Sequence, residues 1–513
     1  MPRSWFKELT ASIIERIEQR KLPLIYWLLS FVVIALLRMY IEDFTVPGGS
    51  RGFFNAGNQI HEFMFYAVAM LVIAAILHLF TRTEIKNVFK TVISFSPIIL
   101  AAPVIDYIVT LGQGWRISYV YDLTVQSPWI RFITLGGEWS GGGATPGIKI
   151  EILFILAFIF LYIWSKTGRK IKSMAGSFLL YCYLSVAALL PWWVAQYYSW
   201  FGLVGEGEHT IFGIKLLLLV FLIISLWLYK SKSQKIFLAI LAELRISRII
   251  FYLALLGMGL VLSVMTIVNN KPTPELIIDA VLAAEAIILS SVFLMMVNDR
   301  EDYEIDKVSN PERILPSGRI SELSYSQIGI FCIIFALLFA AAVGVEIFFL
   351  ILLGNLLFVL YSAPPFKLKN YIILSKMTIA SAGVVVMTTG FLLDHTRCSA
   401  FLPTPILISL WIGVLAGSFV IDLKDFEGDK KAGVITLPVK VGLKNAKLII
   451  STLVIIAFVA ITLLLEKSGY ILYSIILGLL VAAAMHKKPY NEPLVFFGFI
   501  LSLIYFSIVY LFF

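Results

Sequence analysis

The sequence predicts an all-α, polytopic membrane protein with about fifteen transmembrane helices. Hydrophobic residues make up 60% of the chain and charged residues 14%, and the mean hydropathy is +0.92. This balance is typical of a chain that lies mostly in lipid. Two further observations support the same fold class: apolar runs long enough to span a bilayer, and an uneven distribution of Lys and Arg between alternate loops.

The apolar runs recur along the whole chain. Several are shorter than the roughly 20 residues that a perpendicular helix needs, so we expect their boundaries to shift by a few residues. The predicted spans are 24–41, 63–80, 91–110, 150–165, 175–198, 211–229, 249–268, 277–298, 325–343, 346–362, 371–393, 402–422, 447–465, 469–485 and 493–512.

The basic residues predict the orientation of these spans. With the N-terminus inside, the inside loops hold 30 Lys and Arg and the outside loops hold 7. The remaining four, Arg38, Lys215, Lys376 and Lys447, lie within spans. Because cytoplasmic loops carry the excess of positive charge, the inside loops are predicted to face the cytosol. The net charge of +9 is therefore a topology signal; we predict no nucleic-acid partner, and expect the basic loops to favour anionic membrane lipids.

A polar, basic segment at 231–235 divides the chain. We predict an N-terminal membrane domain of about six spans at 1–235 and a second domain of about nine spans at 236–513. In the first domain, His61, Glu62 and Asp106 are polar groups near membrane depth. Such groups either pair structurally or form a site.

Two acidic clusters stand where apolar runs end. The first contains Asn298, Asp302 and Asp306, spaced i, i+4, i+8. The second contains Asp422, Asp425 and Asp429, spaced i, i+3, i+7. On a helix each set falls on one face, where like charges repel, so the pattern calls for a cation. Oxygen ligands of this kind suit Mg²⁺ together with substrate phosphates.

One charged helix end is ordinarily a solvated face. Two clusters with the same spacing logic, both predicted on the inner side of the membrane, favour a functional site instead.

The clusters and the sequences around them resemble the UbiA superfamily of intramembrane prenyltransferases. Residues 298–306 fit its NDxxDxxxD pattern, and 307–321 resemble its NxPxRPLPSGxIS tail. Residues 422–429 fit DxxDxxxD, and 361–369, YSAPPFKLK, resemble YSxPPxRLK. The resemblance covers about residues 240–513. Two departures stand out: Ile314 replaces the usual proline, and 244–248 lack the Arg-Pro pair common before the family's first span.

The resemblance implies a nine-helix bundle and a set of site residues. The implied metal ligands are Asn298 and Asp302 for one Mg²⁺, and Asp425 and Asp429 for the other. Asp299, Asp306 and Asp422 would complete the metal coordination shells or orient the basic groups that bind the substrate. Arg313 and Lys367 would contact the diphosphate, and Tyr361 would lie near the phosphates or the carbocation. The implied catalytic residues are Asp302, Asp425 and Tyr361.

The implied reaction is Mg²⁺-dependent transfer of a polyprenyl group from a prenyl diphosphate to a lipid-soluble acceptor, with release of diphosphate. The acceptor is either an aromatic ring, as in quinone pathways, or a glycerol-phosphate hydroxyl, as in ether lipids; the motif wording is nearest the ether-lipid type. The alternative is a cation-coupled membrane transporter. We expect an integral protein of a prokaryotic cell membrane, with its N-terminus and active-site loops in the cytosol.

Overall fold

The structure, a computed structural model, is helical throughout its described regular elements. It describes residues 2–45, 56–115, 127–137, 143–200, 206–265, 274–394, 402–432, 435–488 and 490–512. Over these ranges fifteen helices are long and apolar enough to cross a membrane. The predicted all-α, polytopic fold is thereby confirmed, and the chain is an integral membrane protein.

The chain forms two compact units, Met1–Gln234 and Lys235–Phe513. In the first unit, six of the candidate spans surround a core of buried aliphatic side chains such as Leu77, Val88 and Ile159. Its helices are α1 Pro2–Glu18, α2 Leu24–Thr45, α3 Ala56–Thr81, α4 Ile85–Phe95, α5 Ala101–Val109, α6 Pro128–Ile133, α7 Pro146–Thr167, α8 Lys170–Ala188, α9 Leu190–Ser199 and α10 Glu206–Lys232.

Two predicted spans of the first unit are not continuous helices. The span predicted at 91–110 consists of the end of α4, a 3₁₀ turn at Ser96–Leu100, and α5. The span predicted at 175–198 is divided between α8 and α9. Pro97 and Pro191 lie at these breaks, where the missing N–H and the proline ring disfavour an uninterrupted helix.

The second unit contains the other nine candidate spans. Its helices are α11 Gln234–Glu243, which begins one residue before the unit boundary, α12 Ile246–Met265, α13 Pro274–Glu301, α14 Tyr303–Ser309, α15 Glu322–Val343, α16 Val345–Ser362, α17 Ile372–Phe391, α18 Thr404–Ser418, α19 Ile421–Ala432, α20 Leu437–Val441, α21 Leu443–Leu464, α22 Ile471–His486 and α23 Glu492–Phe512.

Helices α12 and α17 cross with their backbones in contact. A Cβ atom built on Gly259 would lie 2.0 Å from the carbonyl oxygen of Met387, and one built on Gly390 would lie 1.9 Å from that of Leu256. Small residues at such crossings allow close approach of helices in lipid. The crossing fixes α12 and α17 as one wall of the cavity described below.

This crossing gives a prediction with a control in the same helix. Gly259→Ala should lower the unfolding free energy by about 1–3 kcal/mol, since overpacking forces backbone shifts. Gly257→Ala should not, because a Cβ there meets nothing within 4 Å. Thermal unfolding of the two purified variants in the same detergent compares them. Equal midpoints for both variants would show that the close crossing does not contribute to stability.

Candidate active site

The first acidic cluster follows a break between two helices. Helix α13 ends at Glu301, Asp302 adopts a non-helical conformation (φ −95°, ψ 8°), and α14 begins at Tyr303. The hydrogen-bond ladder nevertheless continues across the break, because the Asp302 amide donates to Asn298 O at 2.9 Å and the Asp306 amide donates to Asp302 O at 2.8 Å. The cluster therefore keeps a nearly helical spacing.

Both acidic clusters face one cavity of about 1050 Å³ within the second unit. Residues of α12, α13, α14, α16, α17 and α19 line it. One part is polar and carries Asn298, Asp302, Asp306, Asp422 and Asp429; another part is apolar and includes Leu294, Met295, Leu350 and Phe358. Asp425 lies on α19, but its side chain falls outside the described part of the structure. The structure thus brings together a charged end and an apolar end in a single space.

Asn298 and Asp302 share a lysine. Lys369 Nζ lies 2.6 Å from Asp302 Oδ1 and 3.4 Å from Asn298 Oδ1. The Asn298 amide also donates to Asp302 Oδ2 at 2.9 Å, and the Ser362 hydroxyl donates to Asn298 Oδ1 at 3.3 Å. The Asn298 and Asp302 oxygens, which the family resemblance assigns to a metal, therefore both contact the ammonium group of Lys369.

Arg313 is held by two buried carboxylates of the first cluster. Its Nη1 lies 2.6 Å from Asp306 Oδ2 and 3.7 Å from Asp299 Oδ1. The Tyr325 hydroxyl donates to Asp299 Oδ2 at 2.8 Å, and Asn310 donates to Asp306 at 2.9 Å. Burial opposes the charge on Arg313, but Asp306 and Asp299 outweigh it and raise its pKa, so the guanidinium stays charged.

Lys376, a basic residue within a span, is buried and paired. It is 3% exposed, and its Nζ donates to Asp422 Oδ1 at 2.5 Å. A lysine within a span is costly without a partner, and Asp422 at the start of α19 supplies that partner. The ammonium consequently lines the cavity.

The 361–369 segment brings a further base and an aromatic ring to the cavity. Lys367 pairs with Glu301 at 3.1 Å, and its backbone has φ +40°, an uncommon conformation for a residue other than glycine. Such backbone outliers cluster at functional sites. Tyr361 lines the cavity with its ring centroid 6.2 Å from that of Phe358.

The backbone of Ile314 is held by helix α11. Its backbone N–H donates to Glu243 Oε1. Burial raises the pKa of the Glu243 carboxyl, whereas the Ile314 N–H opposes that rise. A proline at position 314 would have no N–H to donate. The replacement of proline by Ile314 therefore adds a backbone donor, and Glu243 accepts its hydrogen bond.

Sequence reasoning did not select Lys369, Lys376 or Glu243. Lys369 lies in the 361–369 motif, in which only Lys367 was predicted to contact the diphosphate. Lys376 had a usable signal, because a lysine inside an apolar span requires an acid at the same depth. Glu243 had no local signal, since its partner is 71 residues away.

The chemistry of the oxygen donors fits a hard divalent cation. Asn298 and Asp302 offer an amide and a carboxylate oxygen toward one cationic position, and such ligands suit Mg²⁺. Among the residues described, however, no three His, Cys, Asp or Glu side chains are already grouped as a metal site. A Mg²⁺ ion held by Asn298 and Asp302 would therefore need further oxygen ligands.

Comparison with known proteins shows similarity of this unit to one family. The sequence model of the UbiA prenyltransferase family matches residues 258–503. Digeranylgeranylglyceryl phosphate synthase of Methanothermobacter thermautotrophicus is 29% identical over 163 residues, 32% of this chain and 56% of that protein. Homogentisate phytyltransferase of Synechocystis is 26% identical over 38% of this chain and 63% of its own length. Chlorophyll synthase of Avena sativa is 31% identical over 39% and 54%.

The matches cover less than two thirds of each of these relatives. Among solved structures, a UbiA homologue from Archaeoglobus fulgidus bound to DMAPP and Mg²⁺ aligns with 20% identity and a TM-score of 0.43, over 53% of this chain and 96% of that one. The family match lies entirely within the second unit and includes both acidic clusters. The resemblance seen in the sequence is confirmed: residues 258–503, within the C-terminal unit, match the model of the UbiA prenyltransferase family.

Proposed function

We propose that the second unit transfers a polyprenyl group from a prenyl diphosphate to a lipid-soluble acceptor, with Mg²⁺ as cofactor. The observation that carries the proposal is the single cavity in which acidic clusters and basic side chains meet at one end and apolar side chains line the other. A prenyl diphosphate has the same division between a charged head and an apolar tail. The names of the curated relatives support a reaction of this class.

Donor binding would exchange the partners of these charges. In the structure Lys369 neutralises Asp302, and Lys367 neutralises Glu301. On binding of the donor, Lys369 would exchange Asp302 for the diphosphate, and Lys367 would exchange Glu301 for it. Asn298 and Asp302 would hold one ion, and Asp425 and Asp429 the other. The bound metal supplies Lewis-acid neutralisation of the leaving group.

The chain's own residues would then assist departure of the diphosphate. The bond between the allylic carbon and the diphosphate oxygen breaks, the acceptor bonds to that carbon, and the acceptor loses one proton. Arg313, Lys367 and Lys369 stabilise the charge that grows on the leaving oxygen. Tyr361 and Phe358 present ring faces that favour positive charge on the allylic carbon. The apolar lining keeps water from that carbon.

We propose a glycerol-phosphate hydroxyl as the acceptor, with an aromatic ring as the second candidate. Digeranylgeranylglyceryl phosphate synthases from four archaea are among the relatives. A phosphate-bearing acceptor needs cations beyond those that bind the donor. Arg248 and Lys424 line the same cavity and share Glu492, at 3.1 and 2.8 Å. Incubating the protein with labelled geranylgeranyl diphosphate and each acceptor class, followed by mass spectrometry of the lipids, separates the two.

We propose that Glu243 positions Arg313 through the backbone of Ile314. Arg313 precedes Ile314 directly, and Glu243 fixes the Ile314 amide from α11. Holding this amide restricts the chain that presents the guanidinium to Asp306 and Asp299. Arg313 would thus be ordered before the diphosphate arrives.

The metal assignment predicts loss of activity in two variants. Asp302→Asn and Asp425→Asn should each lower kcat/KM by at least about 100-fold, because electrostatic stabilisation of the leaving group is commonly the largest catalytic effect. Glu304→Gln is the control, since the Glu304 side chain is 80% exposed and, among the described residues, pairs with Lys307 three positions along the chain. Diphosphate release at saturating Mg²⁺ measures all three. Near-normal turnover in either aspartate variant would contradict its metal role.

The positioning role of Glu243 predicts a dependence on residue 314. Glu243→Ala should raise KM for the prenyl diphosphate about tenfold, since a hydrogen bond to a charged group contributes about 1.5–3 kcal/mol. In an Ile314→Pro background the same change should have little further effect, because the amide donor is absent. Glu243→Gln should restore part of the affinity. Equal effects of Glu243→Ala in both backgrounds would show that Glu243 acts elsewhere.

We propose that the active-site loops face the cytosol, in agreement with the positive-inside distribution. Single cysteines at the exposed positions Ser317, Asn370 and Lys444, in a background without Cys182, Cys332 and Cys398, should resist a membrane-impermeant thiol reagent until cells are opened. A cysteine at Ser468 should react in intact cells. Labelling of Ser317 and Lys444 from opposite sides would contradict a shared site for the two clusters.

A further inference from the structure

The first unit buries a charged group inside a candidate span. Arg38 on α2 is 1% exposed, and its Nη1 donates to Glu42 Oε2 at 2.5 Å. An ionised side chain at membrane depth is costly, and it ordinarily marks a site or a built network. This group lies outside the unit that carries the UbiA family match.

Two more carboxylates from other helices act on the same guanidinium. Glu62 belongs to α3 and Glu151 to α7, and both lie within electrostatic range of Arg38 and Glu42. One guanidinium therefore contacts Glu42 and lies within electrostatic range of Glu62 and Glu151. Full ionisation would leave excess negative charge where the dielectric constant is low, which is strongly unfavourable.

Among the described residues, one of these carboxylates has an oxygen without a hydrogen-bond partner. Glu151 is 8% exposed, and its Oε2 is buried with no donor from the described part of the chain in reach. An ionised oxygen in that position would be neither solvated nor bonded. The Nε of Arg38 is also buried without an acceptor, so Arg38 does not compensate Glu151 with all of its donors.

The surroundings contain other titratable groups from the packed helices. These are Asp43 on α2, His61 and Tyr66 on α3, and Asp106 on α5. Helix α10, which packs against α3, also buries His209 and Lys215. Asp106 is occupied structurally: Thr145 Oγ1 donates to it at 2.5 Å and the Gly147 amide at 2.7 Å. His61 packs against Gly213, where a Cβ would lie 2.9 Å from its Nε2.

We propose that the first unit contains an intramembrane proton-binding site, in which Glu151 Oε2 takes up one proton beside the Arg38–Glu42 pair. The proton forms an O–H bond at that oxygen and removes one negative charge from the set. A proton is favoured over a metal ion, because no described His, Cys, Asp and Glu side chains of this unit are grouped as metal ligands.

Infrared spectroscopy of the full-length protein in lipid nanodiscs tests the site. A carboxylic-acid C=O band that shifts in D₂O should be present at neutral pH, and Glu151→Gln should remove part of it. Glu62→Gln should also diminish the band, since it relieves the repulsion that favours the proton. Arg38→Gln should increase it, up to about twofold, because loss of the cation favours protonation of a second carboxyl.

Glu8→Gln is the matched control, because Glu8 is exposed on α1 in the same unit; its band should equal that of the unchanged protein. If Glu151→Gln does not assemble, the opposite signs expected for Glu62→Gln and Arg38→Gln still decide the question. A band unaffected by these variants would overturn the proposal. So would a rise in the unfolding midpoint with Na⁺, relative to choline at equal ionic strength, that is lost in Glu62→Gln, since it would indicate a metal-cation site.

Discussion

Charge pairing in a cavity of low dielectric constant is the constraint on which the second unit depends. Asp302, Asp306 and Asp422 each contact a base from another part of the chain. Removing one partner from a buried pair costs about 3–5 kcal/mol, because the other charge is left uncompensated. The pairs therefore connect the junction of α13 and α14 to the turn before α17, α14 to the loop that follows it, and α17 to α19.

The membrane fold was largely predictable from the sequence, since hydropathy and the distribution of basic residues reflect the bilayer directly. The interruptions were not predicted. Pro97 and Pro191 lie in stretches apolar enough to be counted as continuous spans, and average hydropathy does not register a missing backbone donor. The crossing of α12 and α17 was likewise hidden, because the sequence does not show which glycines meet another helix.

The candidate site was predictable to the extent that it lies in contiguous motifs. Asn298 and Asp302 lie in one contiguous motif and Asp422 lies in another, and all three line one cavity. Their bases are different: Lys369 reaches a residue 67 positions earlier, and Lys376 one 46 positions later. Such partners follow from three-dimensional packing. Burial cost indicates that a partner must exist, but only the fold identifies it.

The contact between Gly259 and Met387 has a consequence for motion. Side chains at a helix interface ordinarily change rotamer, and this freedom allows helices to slide in small steps. Where backbones touch, no layer of side chains separates the two helices. We therefore expect α12 and α17 to move together as one rigid unit. Any widening of the cavity would then come from the other helices that line it, among them α13, α16 and α19. Such widening would be a one-sided movement, with its fixed side determined by two glycines.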